Sequence, residues 1–97
     1  MVNRIRIAQT LQFQGEYKKA EKIHFDLEEC IKSHPEYSFI LDFIYQHKGK
    51  NYYEQNHLQK ALNAIEAALQ IRLQKKKPDL IESSRFAIEI IKEKMSN

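Results

Sequence analysis

Apolar residues recur every three or four positions along almost the whole chain, which is the spacing of one face of an α-helix. Five such stretches can be separated, and polar joints divide them. They cover, in order, residues 3–14, 17–33, 37–55, 58–73 and 78–95. The strict alternation that is typical of a half-buried strand is not needed to explain any part of the sequence. The pattern therefore predicts an all-α fold with five helices.

The joints carry residues that suit the ends of helices. Gly15 and Asn56 follow the first and third stretches, and both residue types tolerate the left-handed conformation that commonly ends a helix. Pro35 stops the second stretch just beyond its last residue, and Pro78 suits the first turn of the fifth. Because the joints are short, we expect consecutive helices to pack antiparallel to one another.

The turn after the first helix returns further along the chain. Residues 14–22 correspond to residues 55–63, so that Ala20 recurs as Ala61, 41 positions later (61 − 20). At the same offset Ala8 recurs as Gly49, and small residues at these places permit two helices to cross closely. A repeat of this kind does not bury its apolar face alone and stacks on a neighbour. The sequence thus predicts a short helical array.

These residues resemble the tetratricopeptide repeat (TPR), in which bulky and small residues, a turn, an aromatic residue and an alanine follow in a fixed order. The first copy of the pattern consists of Ala8, Leu11, Gly15, Tyr17, Ala20 and Leu27. The second consists of Tyr45, Gly49, Tyr52, Asn56, Leu58, Ala61, Ile65 and Ala68. Two positions depart from the family, since Arg4 stands at an apolar position and His24 at an aromatic one. The repeat is also about seven residues longer than the family unit of about 34.

The resemblance implies a right-handed TPR-like array of helical hairpins in one domain over residues 1–97. Repeat 1 would cover about residues 3–34, repeat 2 about residues 37–76, and a C-terminal capping or half-repeat helix about residues 78–95. Repeats of this length and charge are also similar to those in the peptide-sensing regulators of Gram-positive bacteria, although this chain has no helix-turn-helix of its own. The function that the resemblance implies is a non-catalytic scaffold that binds a protein or peptide, alone or within a larger regulator.

In this family the first helix of each hairpin lines a concave groove. The resemblance implies that the groove here is formed by Arg6, Gln9, Gln12, Phe13, Phe43, Gln46, His47, Lys50, Tyr53, Glu54 and Arg85. Amide and aromatic side chains of this kind suit the backbone and the side chains of a bound peptide. The matching positions do not carry the lysine, asparagine and arginine set with which some TPR domains capture the tails of chaperones.

The fifth helix spreads apolar residues around more of its circumference than one neighbouring helix covers. We expect part of this surface to be exposed and to mediate self-association or contact with a further repeat. The residues expected to take part are Phe86, Ile88, Ile91 and Met95.

The net charge of +3 leaves a nucleic-acid-binding helical module open as an alternative. Phosphates would then be contacted by Lys18, Lys19, Lys22, Arg72 and residues 75–77. Acidic residues are interspersed with the basic ones, which makes this alternative less favoured. A purely structural piece of a longer solenoid is a third interpretation.

The remaining chemistry of the sequence is sparse. The single cysteine, Cys30, does not support an internal disulfide, and the histidines lack the spacing of a zinc site. Neither a glycine-rich phosphate loop nor a nucleophile with an adjacent base is recognisable. We therefore expect no enzymatic activity, metal or cofactor. The sequence also has neither an apolar run of membrane-spanning length nor the pattern of a secretory signal, so we expect a cytoplasmic location.

Overall fold

The computed structural model of the chain describes residues 2–97 and confirms that they form an all-α fold without strands. Five α-helices account for most of these residues. They are α1 (Val2–Phe13), α2 (Tyr17–Ser33), α3 (Leu41–Glu54), α4 (Leu58–Lys75) and α5 (Pro78–Ser96). A short 3₁₀ helix, Pro35–Ile40, lies between α2 and α3. The positions of the five helices agree with the periodicity of the sequence.

The start of the third helix differs from the prediction. The sequence pattern suggests one helix over residues 37–55, whereas the structure has a 3₁₀ helix as far as Ile40 and begins α3 at Leu41. Pro35 opens the 3₁₀ helix, and the amide of Tyr37 donates to the carbonyl of His34 at 3.0 Å, three residues back. Ile40, with φ −101° and ψ 0°, separates the two helices. Apolar spacing alone does not distinguish a 3₁₀ turn from the first turns of an α-helix.

The two copies of the repeated turn have the same hydrogen bonds. Gly15 (φ 81°) and Asn56 (φ 64°) both adopt the predicted left-handed conformation. The amide of Glu16 donates to the carbonyl of Leu11 at 2.7 Å, and that of His57 donates to Tyr52 at 2.9 Å. Each turn is therefore a Schellman motif, in which the last carbonyls of the helix are satisfied.

The helices that follow one another in the sequence pack on one another, and α1 also contacts α3. A hydrogen bond between Ser84 and Gln46 joins α5 to α3 at 2.8 Å. α5 packs mainly on α4, and the Ser84–Gln46 hydrogen bond is a local contact between α5 and α3. With a smallest dimension of 18 Å, the molecule is about two helices thick.

Small residues occupy the helix crossings that the sequence indicated. Ala8, Ala20 and Ala61 are fully buried. At Gly49 a Cβ atom would lie 2.5 Å from Cδ1 of Ile65 and 3.2 Å from the carbonyl oxygen of Ala61. The close approach of α3 to α4 therefore requires glycine at this position.

Candidate binding groove

Two cavities flank α3, one towards α1 and one towards α5. The first, between α1 and α3, has a volume of about 340 Å³. Its wall on α1 includes Gln9 and Phe13, and the ring of Phe13 is 94% exposed. The amide nitrogen of Gln9 lies 3.3 Å from the ring nitrogens of His47 and so links the two helices. This cavity mixes amide, charged and aromatic surface.

The second cavity, the α3–α5 cleft, has a volume of about 480 Å³. Phe86 and Ile90 on α5 face Tyr53 on α3 across it. The buried side chains of Ile65 and Ile91 contribute to its lining. The cleft is thus mainly apolar, and its volume is within the range of ordinary ligand pockets.

His47 and Lys50 border both cavities, so the two cavities adjoin each other at α3. Burial, followed by the positive charges of Lys50 and Arg72, lowers the pKa of His47 below its usual value of 6.5. The imidazole is therefore neutral at physiological pH and can accept a hydrogen bond as well as donate one. Lys50 is exposed at the junction of the two cavities.

Comparison with protein-family models, curated protein sequences and solved structures yields no match to this chain.

Eight of the eleven groove residues expected from the sequence line these two cavities. They are Gln9, Gln12, Phe13, Gln46, His47, Lys50, Tyr53 and Glu54. Gln12 differs from the expectation in its burial, since its side chain is only 5% exposed. Its Oε1 atom has no hydrogen-bond partner among the described residues. The Gln12 side chain therefore belongs largely to the wall beneath the groove.

The other three expected residues, Arg6, Phe43 and Arg85, do not line the groove. Phe43 instead lies against the guanidinium of Arg72, whose carbon is 5.2 Å from the centre of the ring. Arg85 faces the α4 side of α5 and lies 3.8 Å from Glu82. Contact of these three residues with a partner stays a prediction from the sequence.

The expected self-association surface on α5 also requires correction. Phe86 and Met95 are exposed, at 65% and 42%. Ile91 is only 3% exposed and packs in a core cluster with Ala61, Leu62 and Ile65, and Ile88 is half-buried against the same cluster. Ile91 is therefore a core residue. Phe86 faces the α3–α5 cleft, which places part of the exposed apolar surface inside the groove.

A buried polar network, which the sequence pattern did not reveal, joins the helices that form the cleft. Arg72 on α4 donates from Nε to Oδ2 of Asp42 on α3 at 2.9 Å, and from Nη1 to Oγ of Ser84 on α5 at 3.0 Å. Ser84 in turn donates to Oε1 of Gln46 at 2.8 Å. Lys75 donates to Oδ1 of Asp42 at 2.6 Å and to the carbonyl of Phe39. The network fixes α5 beside α3 at one end of the cleft.

Several basic residues of the nucleic-acid alternative are paired with carboxylates. Arg72, which was considered as a phosphate ligand, is buried and paired with Asp42. Lys18, Lys19 and Lys22 each lie within 4 Å of a carboxylate, at 3.5, 3.7 and 2.9 Å. The three lysine side chains are themselves mostly exposed, so of these residues only Arg72 is withdrawn from contact with a phosphate backbone.

Among residues 2–97, three or more histidine, cysteine or acidic side chains are nowhere grouped as a metal site would require. Nor does any helix in this part of the chain have the length and apolar character needed to cross a bilayer. Cys30 is a free, half-buried thiol.

Proposed function

We propose that the chain is a non-catalytic, TPR-like scaffold that binds a protein or peptide in the groove formed by α1, α3 and α5. The observation that carries this proposal is the pair of adjoining cavities on either side of α3, with exposed rings on both outer walls. Phe13 lies on the α1 wall and Phe86 on the α5 wall. A soluble protein exposes such a concave apolar surface where it binds a partner.

The TPR-like part of the proposal is supported by the equivalence of the two repeats. The Schellman turns at Gly15 and Asn56 are 41 residues apart (56 − 15), as are the small residues Ala8 and Gly49. Part of the added length lies in the 3₁₀ helix Pro35–Ile40, which joins α2 to α3. The proposal includes a cytoplasmic location, which an unpaired thiol at Cys30 favours.

The chemistry of the groove suits a peptide better than a small metabolite. The α1–α3 cavity offers the amide of Gln9 and the neutral ring of His47, which can exchange hydrogen bonds with a peptide backbone. The adjoining cleft offers apolar surface for a side chain. A peptide that crosses α3 would use both kinds of contact at once.

Selection of a random dodecapeptide phage library on the immobilised chain tests this function, with synthetic copies of the selected peptides measured by isothermal titration. Phe13→Ser on α1 should weaken binding about tenfold or more, because the exposed ring is the largest apolar contact that the α1 wall offers to a peptide. Phe25→Ser is the matched control, because Phe25 is also exposed but lies on α2, which lines neither cavity. Failure to enrich any peptide, or equal losses in the two variants, would contradict the proposal.

A further inference from the structure

The α3–α5 cleft has mainly apolar walls, and the charged side chains at its mouth are all basic. Ile65 and Ile91 are 1% and 3% exposed, whereas Phe86 on the outer wall is 65% exposed. The cleft therefore has a closed base and an open mouth. Its volume of about 480 Å³ suits one large apolar side chain together with the adjoining backbone.

The cleft exists because α5 is attached to α3 at one end. The hydrogen bond between Ser84 and Gln46 lies near the start of the facing segments, and Arg72 supports it from below. Along the rest of their length α3 and α5 have little direct contact, since α4 packs against both. The shape of the cleft is therefore held by helix packing and by the buried hydrogen bonds of Ser84, and not by a loop.

The charge at the mouth of the cleft is positive. Lys50 and His47 are the only ionisable side chains that line it apart from the phenol of Tyr53, and no carboxylate does so. Lys50 forms no ion pair with any of the described residues. Lys94 extends the positive charge, with its ammonium 4.9 Å from the centre of the Tyr53 ring.

Carboxylates are present only at the edges of this surface. Glu54 lines the α1–α3 cavity, and Glu93 lies beside Lys94 beyond the open end of the cleft. Neither lines the cleft itself. A partner that inserts an apolar side chain there brings its neighbouring residues closest to Lys50.

We propose that the α3–α5 cleft binds an acidic peptide segment, with a large apolar side chain between Phe86 and Tyr53 and an adjacent carboxylate paired with Lys50. This inference rests on the proposed function and specifies the class of peptide. Complementary charge steers such a partner and selects against basic ones. A second copy of this chain, with its net charge of +3, is a less complementary occupant.

Charge reversal tests the inference. The phage selection is performed on the wild-type chain, on Lys50→Glu and on Lys92→Glu. Lys92 is the matched control, because it lies on α5 but faces the α4 side. Acidic residues next to a large apolar residue should be enriched by the wild type and by Lys92→Glu. They should disappear from the peptides that Lys50→Glu selects.

Fluorescence anisotropy with a peptide selected by the wild type provides the quantitative test. Lys50→Glu should weaken binding about tenfold at low salt, and the difference should shrink as ionic strength rises. Replacement of the apolar residue of the peptide by alanine should also cost about tenfold.

Two sets of results would overturn the inference while leaving a peptide-binding scaffold intact. In one, peptides bind in the groove without a preference for acidic residues, or Lys50→Glu binds them as well as the wild type does. In the other, sedimentation velocity shows a dimer that Phe86→Glu dissociates, so that a second copy covers the cleft. Absence of any peptide enrichment would instead defeat the proposed function itself.

Discussion

Arg72 donates a hydrogen bond from Nε to Oδ2 of Asp42 at 2.9 Å, and the two side chains are 3% and 0% exposed. Lys75 donates a hydrogen bond to the other carboxylate oxygen of Asp42, Oδ1. Ser84 accepts a second hydrogen bond from the guanidinium of Arg72. Charges are buried at a high cost in free energy unless they are paired in this way. The Arg72–Asp42 pair therefore joins α4 to α3, and Arg72 also joins α4 to α5, beneath the proposed groove.

Asp42→Ala should lower the free energy of unfolding by about 3–5 kcal/mol, because it leaves the guanidinium of Arg72 buried without a counter-charge. Urea denaturation measures the change. The double variant Asp42→Ala with Arg72→Met should lose less than Asp42→Ala alone, since the unpaired charge is then gone. Glu82→Ala, which removes an exposed ion pair with Arg85, is the control. An equal effect of Asp42→Ala and Glu82→Ala would show that the buried pair is unimportant.

Gly49→Ala should destabilise the protein by about 1–3 kcal/mol, although alanine is intrinsically the better helix former. The added Cβ would lie 2.5 Å from Cδ1 of Ile65, so α3 and α4 would have to separate or Ile65 would have to shift. Ile65→Ala removes the clashing atoms, and its combination with Gly49→Ala should cost less than the sum of the two single changes. If the losses in unfolding free energy of Gly49→Ala and Ile65→Ala simply add in the double variant, as measured by chemical denaturation, the contact with Ile65 is not the reason for glycine at position 49.

His24 should make the stability of the protein depend on pH in the mildly acidic range. Its ring is fully buried, and burial, followed by the charges of His47 and Lys48, lowers its pKa from 6.5 to about 4. Between these values the unfolded chain binds a proton at His24 and the folded chain does not. The resulting stability is complete above about pH 6.5 and is lost as the pH falls towards 4, by about 3 kcal/mol in total.

The measurement is urea denaturation from pH 4 to 7. His24→Phe should reduce the pH dependence and leave the part that the lowered pKa of His47 contributes, whereas His57→Gln, at an exposed histidine, should leave it unchanged. If the wild type and His24→Phe lose stability in parallel as the pH falls, the buried imidazole is not responsible.

The sequence predicted the number of helices and the two left-handed turns because both follow from local properties. Apolar spacing defines a helix within one segment, and Gly15 and Asn56 are recognisable without knowledge of their neighbours. The 3₁₀ start at Pro35–Ile40 was not predicted, since a short tight helix and an α-helix share much of their residue preference.

The site was predicted less completely, because it depends on which helices meet. In the sequence Arg72 lies close to the lysine run of residues 75–77, which suggests an exposed basic surface. In the structure Arg72 is buried, because it pairs with Asp42, 30 residues earlier (72 − 42). An aspartate in an otherwise apolar stretch of α3 is the one signal that could have suggested a buried partner. Arg85 lies on the α4 side of α5, which helical spacing alone does not reveal because α5 packs on α4 as well as facing α3.

Ile91→Glu should unfold the protein, whereas Phe86→Glu should leave it folded. Ile91 belongs to the core cluster with Ala61 and Ile65, and an uncompensated carboxylate there is strongly unfavourable. Phe86 is mostly exposed. Circular dichroism during thermal unfolding distinguishes the two variants. Comparable melting temperatures would contradict the position of α5, and any test of self-association should therefore use Phe86→Glu or Met95→Glu.

The central claim is that α1, α3 and α5 together form a groove that binds a peptide. Titration of the ¹⁵N-labelled chain with a peptide from the phage selection, followed by amide chemical shifts, tests it most directly. We predict that the largest shift changes occur at Gln9, His47 and Lys50 and extend to Phe86, with little change on the outer faces of α2 and α4. Changes confined to α2 and α4, around Phe25 for example, would contradict it.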